Sequence, residues 1–250
     1  MQYKHKSIRI SALSYLNTYP FVFAINEKLA SKIGEIKFEV PAVSAQKFKN
    51  KEVDVALVPV GALPELVDYE IITDFCIGSK GKVKTVSLYS KVPINKIQCI
   101  YLDSESRTSV NLVKILAKNF WKISPKWQIY TTAMNPLDCE SVLLIGDKTF
   151  PLNDKFPFVI DLSEEWLKFA NLPFTFAVWV KQKGIDKSLE EDLNKIFQFG
   201  IDNIAQLFDK FDVNISREEF ENYLINNIDY TFDNPKKVAI EKYLTLLSNL

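Results

Sequence analysis

The segment Val53-Asp-Val-Ala-Leu-Val-Pro59 decides the class of fold. It is a short apolar run with several β-branched residues, which is typical of a strand buried on both faces of its sheet. Such a strand needs helices on both sides to cover it, so the segment predicts an α/β protein. We therefore expect strands and helices to alternate along the chain, and the sheets to be mostly parallel.

The flanking sequence continues this alternation. Upstream, the patterns predict a strand at Ser7–Leu13, a polar loop at Ser14–Pro20, a helix at Phe21–Ile33, a strand at Lys37–Pro41 and a helix at Ser44–Glu52. Downstream, they predict strands at Tyr69–Ile77, Val83–Ser90, Gln98–Asp103, Lys126–Thr132, Ser141–Gly146, Phe156–Leu162 and Phe174–Val180. Helices are predicted after the turn at Ser104–Ser109, running to about Phe120, and at Ser163–Ala170.

The C-terminal part of the chain is predicted to be helical. Ser188-Leu-Glu-Glu191 and Ser216-Arg-Glu-Glu219 both match the capping box, in which a serine and a glutamate bind each other's free amides. Apolar residues from Leu189 to Leu207 then share one face of a long helix. Asn234-Pro235 predicts a further helix, with the asparagine as N-cap and the proline at the first helical position.

This order of elements predicts two α/β lobes. One lobe comprises residues 1–86 and 178–250, and the other comprises residues 87–177. The strands at about 83–90 and 174–180 carry the chain between the lobes, and the C-terminal helices are expected to pack on the first lobe. A cleft between two such lobes is a common site for a small molecule.

Charge and hydropathy exclude several classes of function. The 250 residues include 31 lysines and arginines and 31 aspartates and glutamates, so the formal net charge is zero. Without a basic block, the chain has no electrostatic footprint for nucleic acid or for an anionic membrane surface. The longest apolar runs, such as Val55–Leu63, have the length of a strand and are too short to span a membrane. The start of the chain does not match a signal peptide either.

Cysteine and histidine content narrow the choice further. Three widely spaced cysteines, Cys76, Cys99 and Cys139, favour reduced thiols and a cytoplasmic protein. The single histidine, His5, lies in a lysine-rich N-terminal tip. A histidine-based catalytic relay, a mixed histidine–cysteine zinc site or a 2-His-1-carboxylate iron centre would need histidine inside a folded site. We therefore expect no metal.

The first candidate site is Ser106-Arg-Thr-Ser109, which lies between a predicted strand and a predicted helix. A helix N-terminus presents free amides and the positive end of the helix dipole, so it attracts anions. Arg107 could hold a carboxylate with two hydrogen bonds, helped by the hydroxyls of Ser106, Thr108 and Ser109. An ordinary N-cap beside a solvated arginine explains the same residues equally well.

Two further loops carry candidate residues. Ser14-Tyr-Leu-Asn-Thr-Tyr-Pro20 follows the first strand, at the edge of the sheet where α/β proteins bind ligands. Asn17 and Thr18 there could bind a hydroxyl or a carboxylate, although a helix cap is the commoner role. Gly146-Asp147 ends another strand, and its aspartate is either a proton acceptor or a turn residue. Gly78-Ser-Lys-Gly-Lys82 lacks the spacing of a phosphate loop, which favours a β-turn.

Five segments together resemble the chorismate dehydratase family, which catalyses the first step of the futalosine route to menaquinone. They are Ser14-Tyr-Leu-Asn-Thr-Tyr-Pro20, Asp54-Val-Ala-Leu-Val-Pro-Val60, Ser106-Arg-Thr-Ser109, Leu144-Ile-Gly-Asp147 and Leu172-Pro-Phe-Thr-Phe-Ala-Val-Trp179, in the family's order. The resemblance covers about residues 7–180. It implies a two-lobed fold like that of type II periplasmic binding proteins, with a central cleft, in a cytoplasmic enzyme without a metal or organic cofactor.

The resemblance also implies a substrate and its contacts. The expected reaction is loss of water from chorismate to give 3-[(1-carboxyvinyl)oxy]benzoate. The family's substrate contacts correspond to Asn17, to the Ser106–Ser109 helix start and to a serine at the first crossover strand. Further candidates in the same motifs are Ser14, Tyr15, Thr18 and Gly146 for substrate binding and Asp147 for catalysis. Thr85 stands where the family has a serine, and Thr149-Phe150 replaces alanine and leucine.

The proton acceptor of this reaction is left open by the residues. The enolpyruvyl carboxylate of the substrate, oriented by Asn17 and Thr85, is our first hypothesis, and Asp147 is its rival. Two other functions also fit the chain. One is a non-catalytic binding protein for a small carboxylate, because a fold does not fix a function. The other is the related lyase acting on cyclic dehypoxanthine futalosine, which relies on a histidine.

Overall fold

The computed structural model describes residues 8–29, 33–152 and 154–250, so His5 and Ser7 lie outside the described residues. The described strands are β1 (Ile8–Leu13), β2 (Ile33–Glu39), β3 (Val55–Pro59), β4 (Tyr69–Ser79), β5 (Val86–Ser90), β6 (Cys99–Asp103), β7 (Lys126–Tyr130), β8 (Ser141–Ile145), β9 (Phe158–Asp161), β10 (Phe174–Gln182) and β11 (Asp229–Thr231). The α-helices are α1 (Tyr19–Leu29), α2 (Pro41–Lys49), α3 (Arg107–Leu116), α4 (Leu162–Ala170), α5 (Ser188–Asp202), α6 (Arg217–Asn222) and α7 (Asn234–Leu247).

The strands form two sheets. The first has the order β11-β4-β10-β3-β1-β2, and the second has the order β7-β6-β8-β5-β9. All five residues of β3 are buried, as the apolar run at its position predicts. The division into lobes at 86/87 and 177/178 stays a prediction about which parts of the chain move together.

The expectation of mostly parallel sheets is wrong. In the first sheet, β1 is parallel to β2 and β3, but β10 is antiparallel to both β3 and β4. In the second sheet, β5 is antiparallel to β8 and β9. The register explains why β10 runs antiparallel to β3, because Ala177 near the start of β10 pairs with Pro59 at the end of β3. The chain thus re-enters the first sheet at the end where β3 finishes, and must run back along it.

Several predicted element boundaries are wrong, and two prolines explain the shifts of the first two helices. Pro20 and Pro41 lie in the first turns of α1 and α2, where a fixed φ favours helix and no amide is lost. Both helices therefore begin and end earlier than predicted, and β2 begins at Ile33, where the sequence pattern predicted the end of a helix.

The predicted helix caps are only partly confirmed. Ser216 accepts a hydrogen bond from the amide of Glu219, as a capping box requires. Ser188 does not cap α5, because its own amide donates to the Asp186 carboxylate. Asp233, and not Asn234, caps α7 through the amide of Lys236. A carboxylate one or two residues upstream outcompetes the predicted cap in both cases. Helix α5 also ends at Asp202, well before Leu207.

Two C-terminal helices, α5 and α7, pack against the first sheet. Helix α5 packs on α1 and β4 of the first sheet. Helix α7 packs on β10 and also contacts α3, where the Tyr243 hydroxyl donates to the carbonyl of Thr108. Helix α7 therefore also holds the start of α3. No helix among the described residues has the length and apolarity needed to span a membrane.

The contact between α1 and α5 leads to a stability prediction. A Cβ added at Gly200 would overlap the carbonyl oxygen of Pro20 and lie 2.9 Å from Ala24 Cβ. Gly200→Ala should lower the free energy of unfolding by about 2 kcal/mol, because the backbone of α1 must shift. Gly81→Ala is the matched control, since a Cβ there meets no atom within 4 Å, and should change stability by less than about 0.5 kcal/mol. Urea denaturation of both variants checks this; equal midpoints would contradict the packing argument.

Candidate functional site

A narrow cavity lies where the two sheets approach each other. Its volume is about 50 Å³, well below the roughly 300–1,000 Å³ of pockets that enclose small molecules. It is lined by Leu13, Tyr15, Asn17, Pro41, Pro59, Ile77, Val83, Thr85, Val86, Ser106, Thr108, Ser109, Ile145, Gly146, Phe176 and Ala177. Seven of the candidate residues from the sequence are therefore brought together: Tyr15, Asn17, Thr85, Ser106, Thr108, Ser109 and Gly146.

The first loop presents Asn17 through a short 3-10 turn at Leu16–Thr18. The buried Thr18 hydroxyl donates to the carbonyl oxygens of Leu13 at 2.6 Å and Tyr15 at 2.8 Å, so it shapes the turn. Ser14 is exposed, and its amide donates to the carbonyl of Glu39. Ser14 and Thr18 thus position the loop and do not line the cavity.

Asn17 and Thr85 are joined by a tyrosine that the sequence analysis did not single out. Asn17 Nδ2 donates to Tyr223 Oη at 3.2 Å, and Thr85 Oγ1 lies 2.7 Å from the same oxygen. Asn17 Oδ1 is buried and has no hydrogen-bond partner among the described residues. The three side chains form one hydrogen-bonded group at the wall of the cavity, with an acceptor left for a ligand.

Tyr223 is held firmly in this position. Its side chain is fully buried, and the Phe150 ring packs edge-on against it at a centroid distance of 5.3 Å. Burial raises the pKa of the Tyr223 hydroxyl above its usual value, so the phenol stays protonated at neutral pH. Thr149, beside Phe150, donates its hydroxyl to the carbonyl of Gly146. The unusual Thr149-Phe150 pair therefore supports Tyr223 and the glycine turn from outside the cavity lining.

The start of α3 forms the opposite wall. Ser106 caps the helix by accepting a hydrogen bond from the Ser109 amide at 3.1 Å. The Thr108 hydroxyl accepts from the Gly61 amide at 3.0 Å and donates to the Phe176 carbonyl at 3.2 Å. Thr108 is thus occupied in fixing the helix start to the first sheet. The first amides of a helix have no partner within it, which leaves donors for an anion here.

Arg107 lies outside the cavity. Its guanidinium is 39% exposed and pairs with Glu65 at 2.5 Å. That contact also lowers the pKa of the Glu65 carboxyl. The structure therefore agrees with the alternative interpretation of this motif, an N-cap beside a solvent-facing arginine, and does not bring Arg107 to the other candidate residues.

The cavity lining carries no formal charge. Among the described residues that line it, none is Asp, Glu, Lys, Arg or His. Its polar part consists of hydroxyls, one amide and a helix start, and its apolar part includes Ile77, Val86 and Phe176. The neutral donors and the α3 dipole in such a lining can stabilise an anionic group. No group of three or more metal-ligating side chains is found in residues 8–29, 33–152 and 154–250.

Tyr15 and Gly146 join the two sides of the cavity mouth. The Tyr15 hydroxyl donates to Glu105 at 3.3 Å, and Lys148 pairs with Glu105 at 2.6 Å and with the buried Asp103 at 2.7 Å. A Cβ at Gly146 would lie 2.5 Å from the Tyr15 ring, and Gly146 has a φ of +70°. Only glycine adopts this φ without strain and leaves room for the Tyr15 ring, which explains the glycine of the Gly146-Asp147 motif.

Asp147 lies behind the loop, away from the cavity lining. Its carboxylate accepts hydrogen bonds from the Leu16 amide at 3.2 and 3.3 Å and faces a separate cavity of about 580 Å³. Burial raises the pKa of the Asp147 carboxyl to about 6, although the Leu16 amide opposes the shift. Asp147 therefore tethers the first loop to the second sheet.

The remaining glycine motif forms a turn. Ser79 donates its hydroxyl to the Gly81 carbonyl at 2.7 Å, and Lys80 pairs with Asp229 at 2.9 Å. These contacts close the segment on itself after β4. The preference for a β-turn over a phosphate loop agrees with this geometry.

Comparison with known proteins extends these observations. A family model described as menaquinone biosynthesis matches residues 8–249. A chorismate dehydratase from Thermus thermophilus is 27% identical over 157 residues, which cover 55% of this chain and 58% of that protein. The matched stretch thus spans little more than half the length of this relative.

Solved structures show the same fold. Protein AF1704 from Archaeoglobus fulgidus is similar with a TM-score of 0.80 and 17% identity, over 99% of this chain and 98% of that chain. The periplasmic aliphatic sulphonate binding protein SsuA from Escherichia coli is similar with a TM-score of 0.64 and 10% identity, over 98% and 87% of the chains. The expected periplasmic-binding-protein-like α/β fold is confirmed, and the family match extends over nearly the whole chain. The chain therefore belongs to the menaquinone biosynthesis family.

Proposed function

We propose that this protein is a chorismate dehydratase, a hydro-lyase that removes water from chorismate to give 3-[(1-carboxyvinyl)oxy]benzoate. The observation that carries the proposal is the joined pair of Asn17 and Thr85, which faces an uncharged cavity beside a helix start. The family match and the relative named chorismate dehydratase support it.

The cavity offers a place for each part of this substrate. Chorismate carries a ring carboxylate and an enolpyruvyl carboxylate on a six-membered ring. The apolar wall formed by Ile77, Val86 and Phe176 would contact the ring. The start of α3 would hold one carboxylate through backbone amides and the Ser106 hydroxyl. Asn17 and Thr85 would then face the other carboxylate and the ring hydroxyl.

The reaction requires two bonds to break. A carbon-bound proton leaves the ring carbon that carries the enolpyruvyl ether, and its electron pair forms a new ring double bond. The hydroxyl on the neighbouring carbon leaves as hydroxide, which takes up the proton that the acceptor removed from the ring, so that one water is released. The ring becomes aromatic, which strongly favours the products. The protein must therefore orient a proton acceptor and stabilise the leaving hydroxyl.

The enolpyruvyl carboxylate of the substrate is the proton acceptor in our proposal. It is tethered to the carbon whose proton it removes, so orientation alone gives a high effective concentration. The Thr85 hydroxyl would hold it in place by donating to it, and Asn17 Oδ1 would accept a hydrogen bond from the ring hydroxyl beside it. Asp147, the rival acceptor, is occupied by the Leu16 amide and faces the separate cavity.

The cavity must widen before chorismate can enter. Its present volume of about 50 Å³ fits water-sized molecules and no substituted ring. Opening would separate the Tyr15–Glu105 and Leu16–Asp147 contacts, which join the two sides of the cleft. Closure after binding would exclude water and fix the carboxylate over the ring.

The first prediction concerns the product. Purified protein mixed with chorismate, without added metal or nucleotide, should yield a compound lighter by one water with an intact enolpyruvyl group. Liquid chromatography with mass spectrometry detects it directly. Chorismate that only decays at its spontaneous rate would contradict the proposal. Binding of chorismate without turnover would instead identify a small-carboxylate binding protein.

The second prediction separates residues inside the cavity from those outside it. Asn17→Ala should lower kcat/KM for chorismate by roughly 10²–10³-fold, the usual cost of removing one polar group that stabilises a transition state. Arg107→Ala is the control, because that guanidinium pairs with Glu65 at the surface, and it should change kcat/KM by less than about threefold. Steady-state kinetics measure kcat/KM for both variants. A large loss of kcat/KM in Arg107→Ala would show that Arg107 binds the substrate.

The third prediction concerns Asp147. Asp147→Asn should keep near-normal turnover, because its side chain faces away from the cavity. A loss of kcat beyond about 100-fold would make Asp147 the proton acceptor.

The same variant also tests the raised pKa of the Asp147 carboxyl. Ionising the buried carboxylate costs stability as pH rises from about 4 to about 6, so the variant should become more stable than wild type over that window by up to about 3 kcal/mol. The difference should be small at pH 4 and constant above pH 7, as thermal melts will show.

A further inference from the structure

We infer that Tyr223 is a positioning residue that fixes the direction of the Thr85 hydroxyl and the orientation of the Asn17 amide in the cleft. The inference deepens the proposed dehydratase function and rests on it, since it concerns how that site is organised. Tyr223 belongs to the C-terminal segment, whose sequence pattern predicts helices and no functional motif.

The position of Tyr223 is unusual in its main chain as well as in its contacts. It begins a π-helical stretch, Tyr223–Asn227, directly after α6. Such stretches occur frequently at functional sites, although a second one, Ala117–Trp121, follows α3 away from the cavity. Here it directs a fully buried phenol toward the wall of the cavity, with Oη 2.7 Å from Thr85 Oγ1 and 3.2 Å from Asn17 Nδ2.

The donors and acceptors in this group determine the direction of its hydrogen bonds. The Tyr223 hydroxyl has one proton to donate, and it accepts a hydrogen bond from Asn17 Nδ2. Either hydroxyl can donate in the contact between Oη and Thr85 Oγ1, and we assign the Tyr223 proton to this contact because Asn17 Nδ2 has no lone pair to accept it. Thr85 then acts as acceptor toward Tyr223, so its own proton is free to point into the cavity.

A Thr85 hydroxyl that points its proton into the cavity suits a dehydratase. A hydroxyl that donates into the cavity can bind a substrate carboxylate or the departing hydroxyl. Asn17 Oδ1, which is buried without a partner among the described residues, can accept a hydrogen bond from the ring hydroxyl. Tyr223 thus sets a donor at Thr85 and an acceptor at Asn17, and does so as a neutral phenol.

A purely packing role would require only the aromatic ring. The edge-on contact with Phe150 at 5.3 Å does not use the hydroxyl, so phenylalanine at position 223 keeps that contact. Tyr223→Phe therefore removes only the two hydrogen bonds. Tyr130→Phe is the matched control, because Tyr130 is also buried and donates to a backbone carbonyl, that of Met134, in the second sheet.

The experiment is a double-mutant cycle with kinetic and stability readouts. Tyr223→Phe should lower kcat about tenfold while KM changes less than threefold, since the residue orients a reacting contact and does not touch substrate. In a Thr85→Val background the same change should lower kcat less than about twofold, because the hydroxyl that Tyr223 orients is already gone. In a Thr85→Ser background the tenfold loss should return. The Tyr130→Phe control should keep wild-type kcat.

Two results would overturn the inference. One is a Tyr223→Phe variant with wild-type kcat. The other is a double variant, Tyr223→Phe with Thr85→Val, in which the losses multiply as for independent sites. The urea midpoints of the four proteins in the cycle provide a readout that needs no turnover. A double-variant shift smaller than the sum of the single shifts supports the Tyr223–Thr85 bond, and an additive shift overturns it. Wild-type protein that leaves chorismate unchanged overturns the proposed function instead, and the midpoints still decide whether the hydrogen bond exists.

Discussion

The return of β10 between β3 and β4 is the constraint on which the site depends. This strand pairs antiparallel with both neighbours, and its residues from Phe174 to Lys181 are buried. It places Phe176 and Ala177 in the lining of the cavity and gives α7 a surface to pack on. The Phe176 carbonyl also accepts a hydrogen bond from the Thr108 hydroxyl, which fixes the start of α3 against the first sheet. Moving β10 would therefore displace both the apolar wall and the wall formed by the start of α3.

The parts of the fold that the sequence predicted are those with a local cause. The buried run at β3 and the strand–helix alternation follow from side-chain periodicity alone, and both are present. Strand direction has no such signal, so the antiparallel insertion of β10 was missed. Two of the three predicted caps, Ser188 and Asn234, failed for a related reason. Asp186 and Asp233 lie close enough to bind the first amides, and neither the capping-box pattern nor the Asn-Pro pattern weighs competing acceptors.

The candidate site also contains residues that a local sequence signal identifies and residues that only the fold brings together. Asn17, Thr85 and the start of α3 were predicted, and the structure brings them to one cavity. The position of Arg107 was not predictable, because Glu65 lies 42 residues away in the sequence and only the fold places it within reach. Tyr223 lies 138 residues from Thr85, in a helical segment whose pattern shows only burial. Side chains that act across such distances leave no periodic trace in the sequence.

The absence of charge from the cavity lining has a chemical consequence for the proposed reaction. An arginine or lysine beside the enolpyruvyl carboxylate would bind it tightly but would lower its pKa and make it a weaker proton acceptor. Neutral donors such as the Thr85 hydroxyl and the backbone amides at the start of α3 orient the carboxylate with a smaller loss of basicity. Partial burial then favours the protonated form and so raises that basicity. A lining of amide, hydroxyls and helix start can thus hold an anion and still let it act as the base, which a cationic lining would oppose.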